Sequence, residues 1–168
     1  MEKNIIFVDF FNTIISRKVS PNDIIYCWAK NVGKEFLIEP SLIYGLFKKI
    51  SRKIAIKNKF KYWELEFKYV DCVNMLAKQL KRYYKELDLI EFVHKAYEIY
   101  INTEANSHIV NEKLIDKLRE FKQSNKRLFV VSDFYCDSSA IKTWLSRFKI
   151  DDLFEKIYTS SECMCVCF

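Results

Sequence analysis

The chain has 168 residues, of which 50% are apolar and 30% charged, the balance of a soluble domain able to bury one core, with or without an insertion. Only 2 glycines and 2 prolines accompany a 16% aromatic share, which argues against a turn-rich β sandwich and for long helices. The net charge of +6 suits an anionic partner without choosing among phosphorylated metabolites, nucleic acid and acidic lipid, and the 6 cysteines form no CxxC pair of the zinc-binding kind.

In chain order, "NIIFVD" (4–9) is a continuous apolar run closed by Asp9 and reads as a buried strand of a parallel sheet. It is too short and too polar for a signal peptide or a membrane span, so the default expectation is a soluble, cytoplasmic protein with reduced thiols. Ser20-Pro21-Asn22-Asp23 opens a helix whose Ile24, Ile25, Trp28 and Ala29 share a face. A second helix starts near Pro40, with Leu42, Leu46, Ile50 and Ile54 inward and Lys48, Lys49, Arg52, Lys53 and Lys57 outward. A third is predicted from about Tyr62 to Tyr83, with Tyr62, Tyr69, Val73, Leu76 and Leu80 inward. A fourth is predicted from about Asp88 to Thr103, through Leu89, Phe92, Val93, Ala96 and Tyr100. Then come an amphipathic helix, "EKLIDKLREFKQ", a second buried strand, "RLFVVSD" (127–133), a helix capped by Asp137 or Ser138, and a third strand in "FEKIYTS" (154–160).

Strands alternating with helices, and a helical stretch of about a hundred residues between the first two, predict an α/β fold: a Rossmann-like parallel sheet of about three strands with an inserted α-helical cap. The expected division is 1–16 with 107–168 as the core and 17–106 as the cap. Asp9 closes one strand and Ser132-Asp133 the other, and open α/β sheets place ligands at the carboxyl ends of their strands.

"FVDFFNT", then "FVVSDFY", then "IYTSSE" resemble, in order and spacing, the motifs of the haloacid dehalogenase superfamily, most of whose members are phosphatases or phosphotransferases. The nearest pattern is a bacterial subgroup whose first motif looks like F-D-x-F-D-T-L-I followed by a basic residue and a proline, an outline that "VDFFNTIISRKVSP" follows. The resemblance implies Asp9 as a nucleophile forming an aspartyl-phosphate, and Mg²⁺ held by Asp9 and the backbone carbonyl of Phe11. It implies Ser132 on a phosphoryl oxygen, Thr13 bracing the loop and Asp133 orienting a neighbouring group, with a phosphorylated small molecule as substrate.

The departures bear on activity. The family's second acid, two residues after the nucleophile, is replaced by Phe11, and the subgroup's acid one place further on by Asn12. General acid catalysis typically contributes about 10² to 10⁴ in rate. After "YTSSE" the sequence runs "CMCVCF", with no Lys or Arg after Lys156 and no acid after Glu162, so the family's motif-three lysine and motif-four acids are missing. The expectations are a truncated chain of weak or no activity, whose first strand lacks a neighbour that a protein partner could supply. The alternative is a non-catalytic binding or regulatory module on the same fold. Cys163, Cys165 and Cys167 alternate as in a strand, an arrangement better read as incidental than as a soft-metal site. His94 and His108 read as surface or cap residues. The basic face from Lys48 to Lys61, beside Phe60, Tyr62 and Trp63, reads as a solvated outer face of the cap; nucleic acid is the less favoured partner and a membrane is not expected.

Overall fold

Two carboxyl-terminal strand ends carrying Asp9 and Ser132 are brought side by side by a three-stranded parallel sheet. The computed structural model describes residues 4–63 and 66–163. The strands are β1 (Ile5–Asp9), β4 (Arg127–Ser132) and β5 (Lys156–Thr159), in the order β1-β4-β5. Between β1 and β4 lie β2 (Ile15–Arg17), helices α1 (Pro21–Phe36), α2 (Pro40–Tyr62), α3 (Tyr69–Leu80) and α4 (Leu89–Ala105), then β3 (His108–Val110) and α5 (Glu112–Gln123). After β4 come α6 (Ser138–Arg147), a 3₁₀ turn at Asp151–Leu153, β5 and the short α7 (Ser160–Cys163). The fold is thus the α/β sheet with a helical insertion that the alternation of elements implies.

The chain divides into two compact units, one made of Met1–Lys18 with His108–Phe168 and the other of Val19–Ser107. In the first, Phe7 lies opposite Phe129, Asp9 opposite Val131 and Ser132 opposite Thr159. The central strand β4 is buried from Leu128 to Ser132, as its apolar run predicts. β1 departs from the buried strand expected of it: Val8 is buried, but Ile5 is 47% and Phe7 58% exposed. Among the described residues β1 pairs with β4 alone, and its alternate side chains lack the cover that a two-sided parallel sheet gives its strands. Asp137, rather than Ser138, caps α6, accepting the amide of Ala140 at 3.2 Å.

β2 and β3 form an antiparallel ribbon, with Ile15 opposite Val110 and Arg17 opposite His108. The sequence reading missed it. Each strand has three residues, too few to show a period of two, and their partners lie some ninety positions apart along the chain.

In the helical unit, Ser20 and Asp23 cap α1 reciprocally, as the Ser-Pro-Asn-Asp start predicts. Gly33 sits where a Cβ would come within 2.5 Å of the Ile38 carbonyl oxygen, so the return of the chain at Leu37 requires a bare backbone there. Two helical expectations are corrected. The predicted helix from Tyr62 to Tyr83 is the end of α2 and a separate α3: Trp63 takes a left-handed φ of 64° and closes α2, and Asn58 donates to the Glu66 carbonyl at 2.7 Å. The buried stripe of α2 is Ile43, Phe47 and Ile50 rather than Leu42, Leu46, Ile50 and Ile54. Both sets satisfy helical spacing, and packing selects the one rotated by about a residue. In α4, Phe92, Ala96 and Tyr100 are buried whereas Leu89 and Val93 are half-buried.

Trp28, Tyr69 and Tyr100 form the centre of this unit. Trp28 Nε1 and the Tyr69 hydroxyl both donate to the Ala96 carbonyl, at 2.8 and 3.0 Å, so the polar tips of two fully buried rings are satisfied by one acceptor with two lone pairs.

Candidate functional site

The loop after β1 is a single helical turn built on one carbonyl. The Phe10 oxygen accepts the amides of Ile14 and Ile15, both at 3.0 Å, while the Phe10 ring is fully buried. A turn this tight needs one residue in the left-handed region, and Asn12 takes it with φ 58°; asparagine is among the few L residues that visit it readily. Asn12 therefore meets the conformational demand of the turn without bringing an ionisable group to it.

The same turn brings Thr13 back to Asp9, whose carboxylate accepts the Thr13 hydroxyl at 3.0 Å. Asp9 is otherwise exposed at the strand end. Asn111 secures the turn from the other side: its amide donates to the Ile14 carbonyl at 2.9 Å and its Nδ2 to the Thr13 carbonyl at 3.2 Å, while its Oδ1 caps α5. Nothing local in the sequence announces Asn111, because Thr13 lies 98 positions away across the ribbon.

Ser132 closes β4 and is buried; Asp133, the next residue, is exposed. The parallel pairing of β1 with β4 brings the strand ends carrying Asp9, Ser132 and Asp133 to one edge of the sheet, with Thr13 tied to Asp9 by its hydrogen bond. Beside Ser132, Thr159 at the end of β5 is buried and donates to Glu162 at 3.2 Å, Ser138 donates to the other Glu162 oxygen at 3.0 Å, and Ser161 donates to the Cys136 carbonyl at 2.6 Å. This network fixes the start of α7 against the start of α6.

Phe11 is the clearest departure from an acid-base site. Its half-buried ring packs on Phe10 and Phe134 at 4.9 and 4.8 Å between centroids, with His108 and Trp144 at 6.1 and 6.2 Å. The Arg17 guanidinium lies 3.6 Å from the centre of the Phe11 ring and 5.7 Å from that of Phe134. A cation thus stands against the loops that follow β1 and β4. His108 is buried in this aromatic cluster, 5.1 Å from the Trp144 ring, and is not the surface or cap residue the sequence suggests.

The donors at the sheet edge are oxygens. Among the described residues no group of three or more His, Cys, Asp or Glu side chains could hold a metal ion. One carboxylate and a backbone carbonyl still fit Mg²⁺, which keeps several waters and takes its remaining ligands from substrate phosphates. The tail reading of Cys163, Cys165 and Cys167 as a set falls outside the described residues.

No protein-family model and no curated protein matches the sequence. Solved structures do. YfnB of Bacillus subtilis, which carries a HAD-hydrolase assignment and is described as bound to magnesium, superposes with a TM-score of 0.51 at 15% identity, over 96% of this chain and 65% of that one. A predicted phosphoglycolate phosphatase from Haemophilus somnus 129pt gives a TM-score of 0.47 at 13% identity, over 94% of this chain and 62% of that one. The chain spans just under two thirds of the length of these two proteins. The superposition on YfnB covers both the sheet and the helical insertion, and by it the chain has the fold of the haloacid dehalogenase-like hydrolases.

Proposed function

We propose that the chain carries the phosphoryl-transfer site of a Mg²⁺-dependent hydrolase of phosphorylated small molecules, with Asp9 as the nucleophile. The observation that carries this reading is the Asp9 carboxylate at a strand end, oriented by the Thr13 hydroxyl at 3.0 Å, with Ser132 closing the neighbouring strand. An Asp9 oxygen would form a bond to phosphorus as the bond to the leaving oxygen breaks, and water would then cleave the aspartyl-phosphate. Mg²⁺, held by Asp9 and the Phe11 carbonyl, would supply charge neutralisation between carboxylate and phosphate. Ser132 would hold a phosphoryl oxygen, Asp133 would orient a neighbouring polar group, and Arg17 would contribute positive charge.

The weak point is the proton for the leaving oxygen. Phe11 is committed to an aromatic cluster and an amide at Asn12 cannot donate and recover a proton as a carboxyl does. Activity is therefore confined to substrates whose leaving group departs without a proton, such as aryl or acyl phosphates. Phosphate release should be measured with Mg²⁺ from an aryl and an alkyl phosphate; we expect slow turnover of the aryl ester alone, lost in Asp9→Asn and in chelator. Release unchanged in Asp9→Asn, or none from any ester, would refute catalysis by Asp9.

The second reading is a non-catalytic binding module on the same fold, favoured by the Arg17–Phe11 stack that fills the acid's place. It predicts that Asp9→Asn leaves the biological effect intact.

A further inference from the structure

The positive charge of this protein is not spread over its surface. Helix α2 carries seven cations and no acid, while the whole chain has a net charge of +6, so everything outside α2 is slightly acidic taken together. Lys48 donates to Asn22 at 2.7 Å. Lys49, Arg52, Lys53, Lys57 and Lys59 have no ion pair with any described acid. Five cations on one helix without an ion pair among the described residues call for an anionic partner more strongly than composition alone does.

The outer side of the same helix is also apolar, in an ordered way. Ile56, Phe60 and Trp63 stand at i, i+4 and i+7, and are 44%, 84% and 88% exposed. At 3.6 residues per turn, Arg52 and Lys59 flank this stripe on one side and Lys53 and Lys57 on the other. Trp63 is held outward at the left-handed residue that ends the helix. The buried stripe, Ile43, Phe47 and Ile50, lies on the opposite side, so the exposed stripe is a second apolar face and not the margin of the core.

We infer that this face of α2 docks on an anionic lipid surface. An aliphatic and two aromatic side chains would enter the headgroup boundary, and the flanking lysines and arginine would lay their stems along them and meet lipid phosphates. Two features favour lipid over nucleic acid. Ile56 offers no stacking surface to a base, and a convex helix lacks the groove that tracks a single strand. No described helix is long and apolar enough to cross a membrane, so the contact is peripheral. It is independent of whether Asp9 acts on any substrate.

The test is co-sedimentation of the full chain with vesicles of phosphatidylcholine alone and with about one third phosphatidylserine, read with tryptophan emission. Trp28 and Trp144 are already buried, so a blue shift on binding reports Trp63. The expected result is binding to the anionic vesicles only, weakened by salt as screening shortens. Reversing Lys49, Arg52 and Lys53 to Glu should lower the affinity by at least about 100-fold. Phe60→Ser with Trp63→Ser should abolish co-sedimentation with the anionic vesicles, circular dichroism confirming that the exposed substitutions leave the helices intact, and Phe60→Ser alone should weaken binding while the Trp63 emission still reports it. No sedimentation at low salt, equal binding to neutral vesicles, or displacement from anionic vesicles by a single-stranded oligonucleotide that binds more tightly would each overturn the proposal.

Discussion

The two units bury apolar surface in different ways. The helical unit closes on itself: Trp28, Tyr69 and Tyr100 are fully buried, Trp28 meets Phe47 and Tyr69 edge to face, Tyr69 lies tilted against Tyr100, and their polar tips are paired. The sheet unit is enclosed around β4 but leaves Ile5 and Phe7 of β1 half in water. Aromatic content alone does not make a core. Phe7 and Trp28 are both large aromatic residues, yet only one is enclosed by its own unit.

The widest separation of the two units should come from truncating those residues. Trp28→Ala removes a fully enclosed ring and its hydrogen bond and should cost about 3–5 kcal/mol, whereas Phe7→Ala should cost under about 1 kcal/mol. Denaturant melts followed by thiol labelling would assign each loss to its unit. Burial pushes the Cys72 thiol in α3 up to about 12, so it reacts only when the helical unit opens, while buried Cys136 reports on the sheet unit. Equal losses for the two variants would show that β1 is covered in solution.

A smaller change should strengthen the helical unit. Leu37 ends α1 at φ 53° with its side chain exposed, a left-handed position where glycine is usual. Leu37→Gly should raise stability by about 0.5–1 kcal/mol, relieved backbone strain outweighing the added freedom of the unfolded chain; an unchanged or lower melting midpoint would contradict this.

The least effect is expected at the exposed Arg127–Glu155 pair, whose three hydrogen-bonded contacts hold the Glu155 carboxyl below its ordinary range. A lowered folded pKa adds stability above the unfolded carboxylate value of about 4.3 and loses it as pH falls through the folded value. The stability gap between wild type and Glu155→Gln should therefore be present at neutral pH and close in acid. A gap that widened in acid would reverse the sign.

Much of this architecture is legible in the sequence because apolar runs and capping residues act locally. The runs that become β1 and β4, the Ser20 cap and the Asp9–Thr13 spacing all declare themselves within a few residues. What escaped is set by tertiary contact. No glycine or proline marks the break between α2 and α3, and the left-handed Trp63 that makes it has no local signature. Two equally periodic stripes compete on α2. The ribbon, Asn111 and the Arg17–Phe11 stack all join residues far apart in sequence, so Asp9 could be nominated from its motif whereas its surroundings could not.

The ribbon of β2 and β3 also dictates an order of events during synthesis. β1 emerges first, yet its partner β4 follows only after the whole helical unit has been made. Until then the apolar run at Ile5–Val8 has no strand to pair with. The helical unit, rich in local contacts, can fold as soon as Ser107 is free, and domains generally fold as units as they emerge. Once β2 and β3 pair, Ile15 and Val110 become neighbours, and a long loop is replaced by a short one. The insertion thereby works as a timer and then as a splint: it delays the sheet, and it closes most of the chain that the sheet would otherwise have to close unaided.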